Sequence, residues 1–168
     1  MDKEQVVQNV QAQLFLMQDL KYRDFHSSLM PTIDKKKVIG VRTPQLRQFA
    51  KSFGKTEEAQ IFMQVLPHRY YEENNLHSLL IQQIRDYDQC LKEMERFLPH
   101  IDNWATCDML SLNEMCIRDR SCPGYQSFKS ICQKSEVSRP YHYGCILQRS
   151  CKNDRYFCYI SFAAEICT

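Results

Sequence analysis

A chain of 168 residues, 43% hydrophobic and 25% charged, is long enough to bury a core as one domain, and its composition excludes a disordered polypeptide. No apolar run approaches the ~20 residues that cross a bilayer, and the opening MDKEQVVQNVQ has neither a basic nor an apolar signal region, so a cytoplasmic protein with no membrane partner is expected. The net charge of +2 divides unevenly: residues 1–110 hold 14 Lys+Arg against 15 Asp+Glu, net −1, and residues 111–168 hold 8 against 5, net +3, so total charge is no argument for a nucleic-acid partner.

In chain order, Val6, Val7, Val10, Leu14 and Met17 recur at three- and four-residue steps and predict a first amphipathic helix. The segment IDKKKVIGVRTPQLRQFAKSFG follows. Asp34 can cap a short turn, Gly40 can end it in the left-handed region, and Thr43 with Pro44 predicts an N-cap and a proline at the first helical position. Leu46, Phe49, Ala50 and Phe53 are the expected buried stripe of that helix, and Gly54 its stop. Thr56 with Glu57 and Glu58 starts another, which carries Phe62, Val65 and Leu66 inward up to Pro67. Tyr70, Leu76, Leu79, Leu80 and Ile84 run through the next, with Tyr70–Glu73 taken as ordinary packing at its start. Asp86 or Asp88 caps a fifth, with Leu91, Met94 and Phe97 inward, and a sixth begins near Asp102. No alternating stretch in this half predicts a strand. Successive helices joined by short loops pack as antiparallel pairs, and stacked pairs make an all-α solenoid, although no repeat is visible in the sequence itself.

The stretch IDNWATCDML holds the single tryptophan, Trp104, and an aspartate four residues later, Asp108. On a helix such residues share one face, roughly 5–6 Å apart at Cβ. A carboxylate stabilises developing positive charge and orients a water, and an indole attracts a cation, so the pair suits a cation-stabilising site. Taken alone, a single helical tryptophan is ordinarily a packing residue, and an aspartate one turn later is ordinarily solvated. The basic residues Arg42, Arg47 and Lys51, with Thr43 at a helix start and Lys35, Lys36 and Lys37 upstream, are candidate phosphate contacts, each of which singly reads as solvated surface. His26, His68, His77 and His100 lack ligand spacing on one helix face and are expected to be packing or surface residues.

From Leu14 to Met109 the chain resembles the AlkD-like family of DNA alkylation repair proteins. The residues that carry the likeness are LKYRDFHSSLMPTID, VIGVRTPQLR, LPHRYYEENNLHSLLI, DYDQCLK and, most specifically, FLPHIDNWATCDM. The resemblance implies a HEAT-like helical-repeat DNA glycosylase that hydrolyses the bond between deoxyribose and a purine made cationic by alkylation. It implies Asp108 as the catalytic carboxylate and Trp104 against the lesion nucleotide, with no metal and no cofactor. The implied partner is double-stranded DNA carrying alkylated bases, met by a monomer. A non-catalytic helical-repeat module that binds duplex DNA or a protein is the alternative.

Past Met109 the pattern changes. Of nine cysteines, only Cys90 and Cys107 precede residue 116; Cys116, Cys122, Cys132, Cys145, Cys151, Cys158 and Cys167 crowd the remainder. No pair has C-x-x-C spacing, so neither zinc nor a disulfide framework is expected. The string MCIRDR resembles the peptide obtained when sequencing-adapter DNA is translated, and a back-translation of NDRYFCYISFAAEIC shifted by one nucleotide yields a helix-like sequence. Residues 1–110 are therefore expected to be the N-terminal part of the repair domain, and residues 111–168 an irregular, out-of-frame tail. Arg139 and Arg149 inherit no role from the family, and the chain as it stands is expected to be incomplete and inactive.

Overall fold

Polar caps and apolar periodicity together divide residues 3–109 into seven α-helices in the computed structural model, which describes residues 2–30, 33–110 and the strand segments 142–149 and 156–163. At positions 87, 104, 107 and 108, and in the two strands, the description is of the backbone alone. The helices are α1 (Lys3–Leu16), α2 (Leu20–Ser28), α3 (Thr43–Phe53), α4 (Glu57–Met63), α5 (Tyr71–Ile81), α6 (Tyr87–Phe97) and α7 (Trp104–Met109), with 3-10 turns at Lys35–Lys37 and Leu98–His100. Caps agree with the local chemistry. Asp19 accepts from the Tyr22 N–H at 3.0 Å, Asp34 from Lys36 at 2.9 Å, and Asp86 from Gln89 at 2.8 Å, each satisfying an orphan donor of a helical first turn.

Most of the expected inward positions hold; α4 ends at Met63 rather than running to Pro67, so Val65 and Leu66 lie beyond it and, like Leu91, are only partly buried. Val6, Val10 and Leu14 of α1 are buried with Leu46, Ala50 and Phe53 of α3, Phe62 of α4, Leu76, Leu79 and Leu80 of α5, and Met94 and Phe97 of α6. Each such aliphatic or aromatic side chain contributes about 1.5–3 kcal/mol on burial. Phe49, Val7 and Met17 are partly buried at the edge of this core. α5 lies at its centre, with α3, α4, α6 and α7 packed on it and α1 packed on α4. A smaller cluster of Met30, Ile33, Val38, Tyr71 and Ala105 ties the loop before α3 to the starts of α5 and α7.

Several expectations are corrected. α2 was not foreseen; none of its residues is fully buried, and its apolar residues Leu20 and Phe25 are exposed. The cap of α3 is Arg42 rather than Thr43, which is the first helical residue; the Leu46 N–H reaches the Arg42 carbonyl at 3.0 Å and no side chain caps this end. Gly40 does take the left-handed region, with φ +95°, but two residues beyond the end of the 3-10 turn at Val38. A Cβ at Gly40 would meet Arg23 Cβ at 2.5 Å and the Asp19 carbonyl at 2.7 Å, so both conformation and space demand glycine. The tail is not irregular throughout. β1 (His142–Arg149) pairs antiparallel with β2 (Tyr156–Ala163), His142 opposite Ala163 and Arg149 opposite Tyr156. HYGCILQR and YFCYISFA are rich in aromatic and aliphatic residues, which favour a pleated backbone. Cys116, Cys122, Cys132, Cys151, Cys167, Arg139 and the MCIRDR string lie outside the described residues. Among the described residues, no helix is long and apolar enough to cross a membrane.

Candidate functional site

α7 carries positions 104 and 108 and is short, six residues, so its placement depends on what grips it. Asn103 caps it, its Oδ1 accepting from the Thr106 N–H at 2.7 Å. The Asn103 amide nitrogen donates to Thr106 Oγ1 at 2.9 Å and to Asp102 at 2.9 Å, and Thr106 Oγ1 in turn donates to Asn75 Oδ1 on α5 at 2.9 Å. Asn75, Asn103 and Thr106 are all buried. At the other end of α7 the Gln82 side chain, just past α5, donates to the Met109 carbonyl. Both ends of the helix are thus tied to one neighbour through buried polar groups, which stabilise only when every member is satisfied.

This grip fixes which arc of the helix lies against α5. Successive helical residues turn by roughly 100°, so 104 and 108 lie about 40° apart around the axis, while position 106 is on the far side. Thr106 and Ala105 are buried. The backbone thereby sets 104 and 108 on a shared arc, away from the arc that α5 holds.

The four basic-face candidates separate into two groups. Arg47 is exposed on α3, and its guanidinium Nη2 lies 3.7 Å from Met109 Sδ, directly beside α7. Lys51, one turn further along, is exposed as well. Arg42 turns the other way. Its Nε and Nη2 reach Asp19 Oδ2 at 2.9 and 2.8 Å, and its guanidinium lies over the Tyr22 ring at 5.3 Å. The Tyr22 N–H and the Arg42 guanidinium together hold the Asp19 carboxyl below its ordinary range. Thr43 is half-buried at the start of α3. Lys35, Lys36 and Lys37 are exposed, with Lys35 Nζ 3.0 Å from Asp24.

The buried polar face of α5 was missed in the sequence. Glu72 accepts three backbone N–H groups from the loop before α3: Ile39 at 2.8 Å, Gly40 at 2.6 Å and Val41 at 3.3 Å. This clasp fixes the segment that leads into Arg42 and α3. Burial pushes the Glu72 carboxyl up, while the three donors pull it down. Glu73 accepts from the Arg69 and Tyr70 N–H groups at 3.1 and 2.8 Å and from Gln11 of α1 at 3.1 Å, with burial again pushing its carboxyl up. The run Glu-Glu-Asn-Asn inside an apolar helix was the available signal, since polar groups in a core need fixed partners.

The histidines divide as well. His68 Nε2 and His77 Nδ1 are 2.8 Å apart, a direct hydrogen bond between two neutral rings. His77 stacks on Phe97 at 4.2 Å between centroids, and His68 on Phe62 at 4.6 Å. Burial lowers His68 to about 3 and His77 to about 2. Packing is their role here. His26 lies 3.3 Å from the Tyr71 hydroxyl, and burial lowers it too.

The model of the family described as DNA alkylation repair enzyme matches residues 10–116, well over half of the chain. The match begins slightly before Leu14 and runs past Met109 to end within the MCIRDR string. No curated protein and no solved structure matches.

Proposed function

Because the chain belongs to the DNA alkylation repair enzyme family, we propose that its helical part is the N-terminal portion of a HEAT-like glycosylase that excises cationic alkylated purines from duplex DNA by hydrolysis. The observation that carries the proposal is the anchoring of α7: positions 104 and 108 share one arc of the backbone of a helix whose opposite side is locked to α5 through Thr106 and Asn75. A catalytic group must be held by rigid neighbours to act electrostatically, and this arrangement supplies them.

Asp108 is assigned the stabilisation of the electron-poor sugar and the orientation of the attacking water. An alkylated, positively charged base is already a good leaving group, so these two tasks are the main ones left to the protein. Trp104 is assigned the lesion nucleotide. Arg47 and Lys51, exposed along α3 beside α7, are the phosphate contacts this geometry favours; Arg42 contributes only on release from Asp19. Thr43 offers its backbone at the α3 start.

We also read residues 111–168 as translated out of frame, so that activity belongs to the frame-restored protein rather than to this chain. Two facts support that reading: the family match stops inside MCIRDR, and the later residues 142–149 and 156–163 pair as strands instead of extending the helices. Resequencing the gene decides it, and an uninterrupted frame through residue 168 contradicts it.

The enzyme is separated from a non-catalytic DNA-binding module by Asp108→Asn in the frame-restored protein. Loss of base release from alkylated duplex, with duplex binding kept, is the expected result. Equal release by both proteins overturns the role of the carboxylate.

A further inference from the structure

Arg42 and Asp19 form an ion pair that the fold does not need, because each partner is fixed by its own backbone. Asp19 donates its N–H to the Gly40 carbonyl at 2.9 Å, and its carbonyl accepts from the Arg23 N–H at 2.8 Å. Its Oδ1 caps α2, accepting from the Tyr22 N–H at 3.0 Å. Arg42 follows Val41, whose N–H reaches Glu72 and whose backbone bridges to Gln18, and the Arg42 carbonyl accepts from the Leu46 N–H at 3.0 Å. What remains is the guanidinium arm. It directs Nε and Nη2 at Asp19 Oδ2, the oxygen that does not cap α2, and lies over the Tyr22 ring. The two side chains are 57% and 32% exposed, and a pair so open to water holds weakly. The neighbouring cations Arg23 and Lys35 are engaged by Asp24 at 3.2 and 3.0 Å, so Asp19 is matched to Arg42.

A guanidinium that donates two N–H groups to a carboxylate makes the same kind of contact with a phosphate. Arg42 stands one residue before α3, whose Arg47 and Lys51 are exposed in its second and third turns. At a rise of about 1.5 Å per residue the three cations extend over roughly 13 Å of one helix axis. A polyanion along α3 therefore meets two exposed cations and a third already turned to a carboxylate. We propose that Asp19 is an internal stand-in for a DNA phosphate: it holds Arg42 in the free protein and yields it to the duplex backbone on binding, an electrostatic latch that weakens association with DNA. This rests on the reading above that duplex DNA lies along α3. The exchange leaves a signature in salt dependence. The phosphate that gains Arg42 sheds a condensed cation while the bared Asp19 gathers one, so Arg42 adds nothing to the slope until the carboxylate is removed.

Asp19→Asn in the full 168-residue chain, with plain duplex DNA as the probe, tests the latch. Asparagine caps a helix as well as aspartate does, so circular dichroism should match the parent. Affinity is expected to rise about threefold to tenfold at low salt, and the slope of log affinity against log salt to steepen by about one. Arg42→Gln should cost about threefold more affinity in the Asp19→Asn background than in the parent. A gain in Asp19→Asn that survives Arg42→Gln is the loss of a negative charge alone and overturns the latch, as does an unchanged affinity with an unchanged slope. Absence of duplex binding by every variant, the parent included, overturns the latch together with the DNA reading of α3.

Discussion

α5 and α2 invert each other. Every residue of α5 is buried, though Glu72, Glu73, Asn74, Asn75, His77 and Ser78 are polar; no residue of α2 is buried, though Leu20 and Phe25 are apolar. The buried polar groups of α5 mostly have partners, with Asn74 Oδ1 and His77 Nε2 the exceptions. Glu72 finds three backbone donors, Glu73 two and a glutamine, and Asn75 a threonine, so α5 can sit inside. An unpaired group in the same place costs roughly 1–3 kcal/mol.

The largest effect expected from this contrast is at Glu72. Glu72→Ala leaves three buried N–H groups of the 39–41 loop without an acceptor, and stability should fall by on the order of 3 kcal/mol or more in urea denaturation, with Glu72→Gln recovering part of it. A loss below about 1 kcal/mol contradicts the clasp. Acidification comes next. His68 and His77 have native values lowered to about 3 and about 2, so below the ordinary 6.5 the unfolded chain binds protons that the folded chain refuses. Stability should therefore fall as pH drops from 6.5 toward 3, by roughly 1 kcal/mol per pH unit for each ring. Glu72 and Glu73 act oppositely: with carboxyls raised by burial they favour the fold at acid pH and lose that contribution as pH rises above 4.5, so they blunt the decline just above 4.5 and leave it unchanged below. His77→Asn should flatten the slope between pH 6.5 and 4.5, and an unchanged slope breaks the assignment.

Thr106→Val sharpens the comparison at α7. It keeps the shape but removes the hydroxyl between Asn103 and Asn75, at about 1–3 kcal/mol. Amide exchange of α7 should accelerate while that of α1 does not, and the emission of Trp104, the single tryptophan, should shift; Thr106→Ser should restore both. Uniform acceleration in all helices removes the local role. Smallest is Phe25→Ala on the outer face of α2, expected to change stability by less than about 0.5 kcal/mol. A loss of several times that size means Phe25 packs inward.

The helices with an inward apolar stripe were legible: α1, α3, α4, α5 and α6 keep Val6, Leu46, Phe62, Leu76 and Met94 where periodicity put them. α2 was not, because Leu20 and Phe25 stand five positions apart, off the three- and four-residue step that marks a buried stripe. The buried acids of α5 were not, because Glu72 and Ile39 are 33 positions apart and Thr106 and Asn75 are 31 apart, distances over which spacing says nothing. Of the candidate site, the shared arc of positions 104 and 108 was legible in the four-residue interval alone. That Arg42 is paired to Asp19 while Arg47 stands beside α7 needed tertiary contacts.

The most direct test of the central claim is single-turnover release of alkylated purine from duplex DNA by the frame-restored protein and its Asp108→Asn variant, with duplex affinity measured on both. Loss of one electrostatic group of ~3–4 kcal/mol should slow release by about 100- to 1000-fold with affinity unchanged. Release at the same rate by both proteins contradicts the assignment of Asp108.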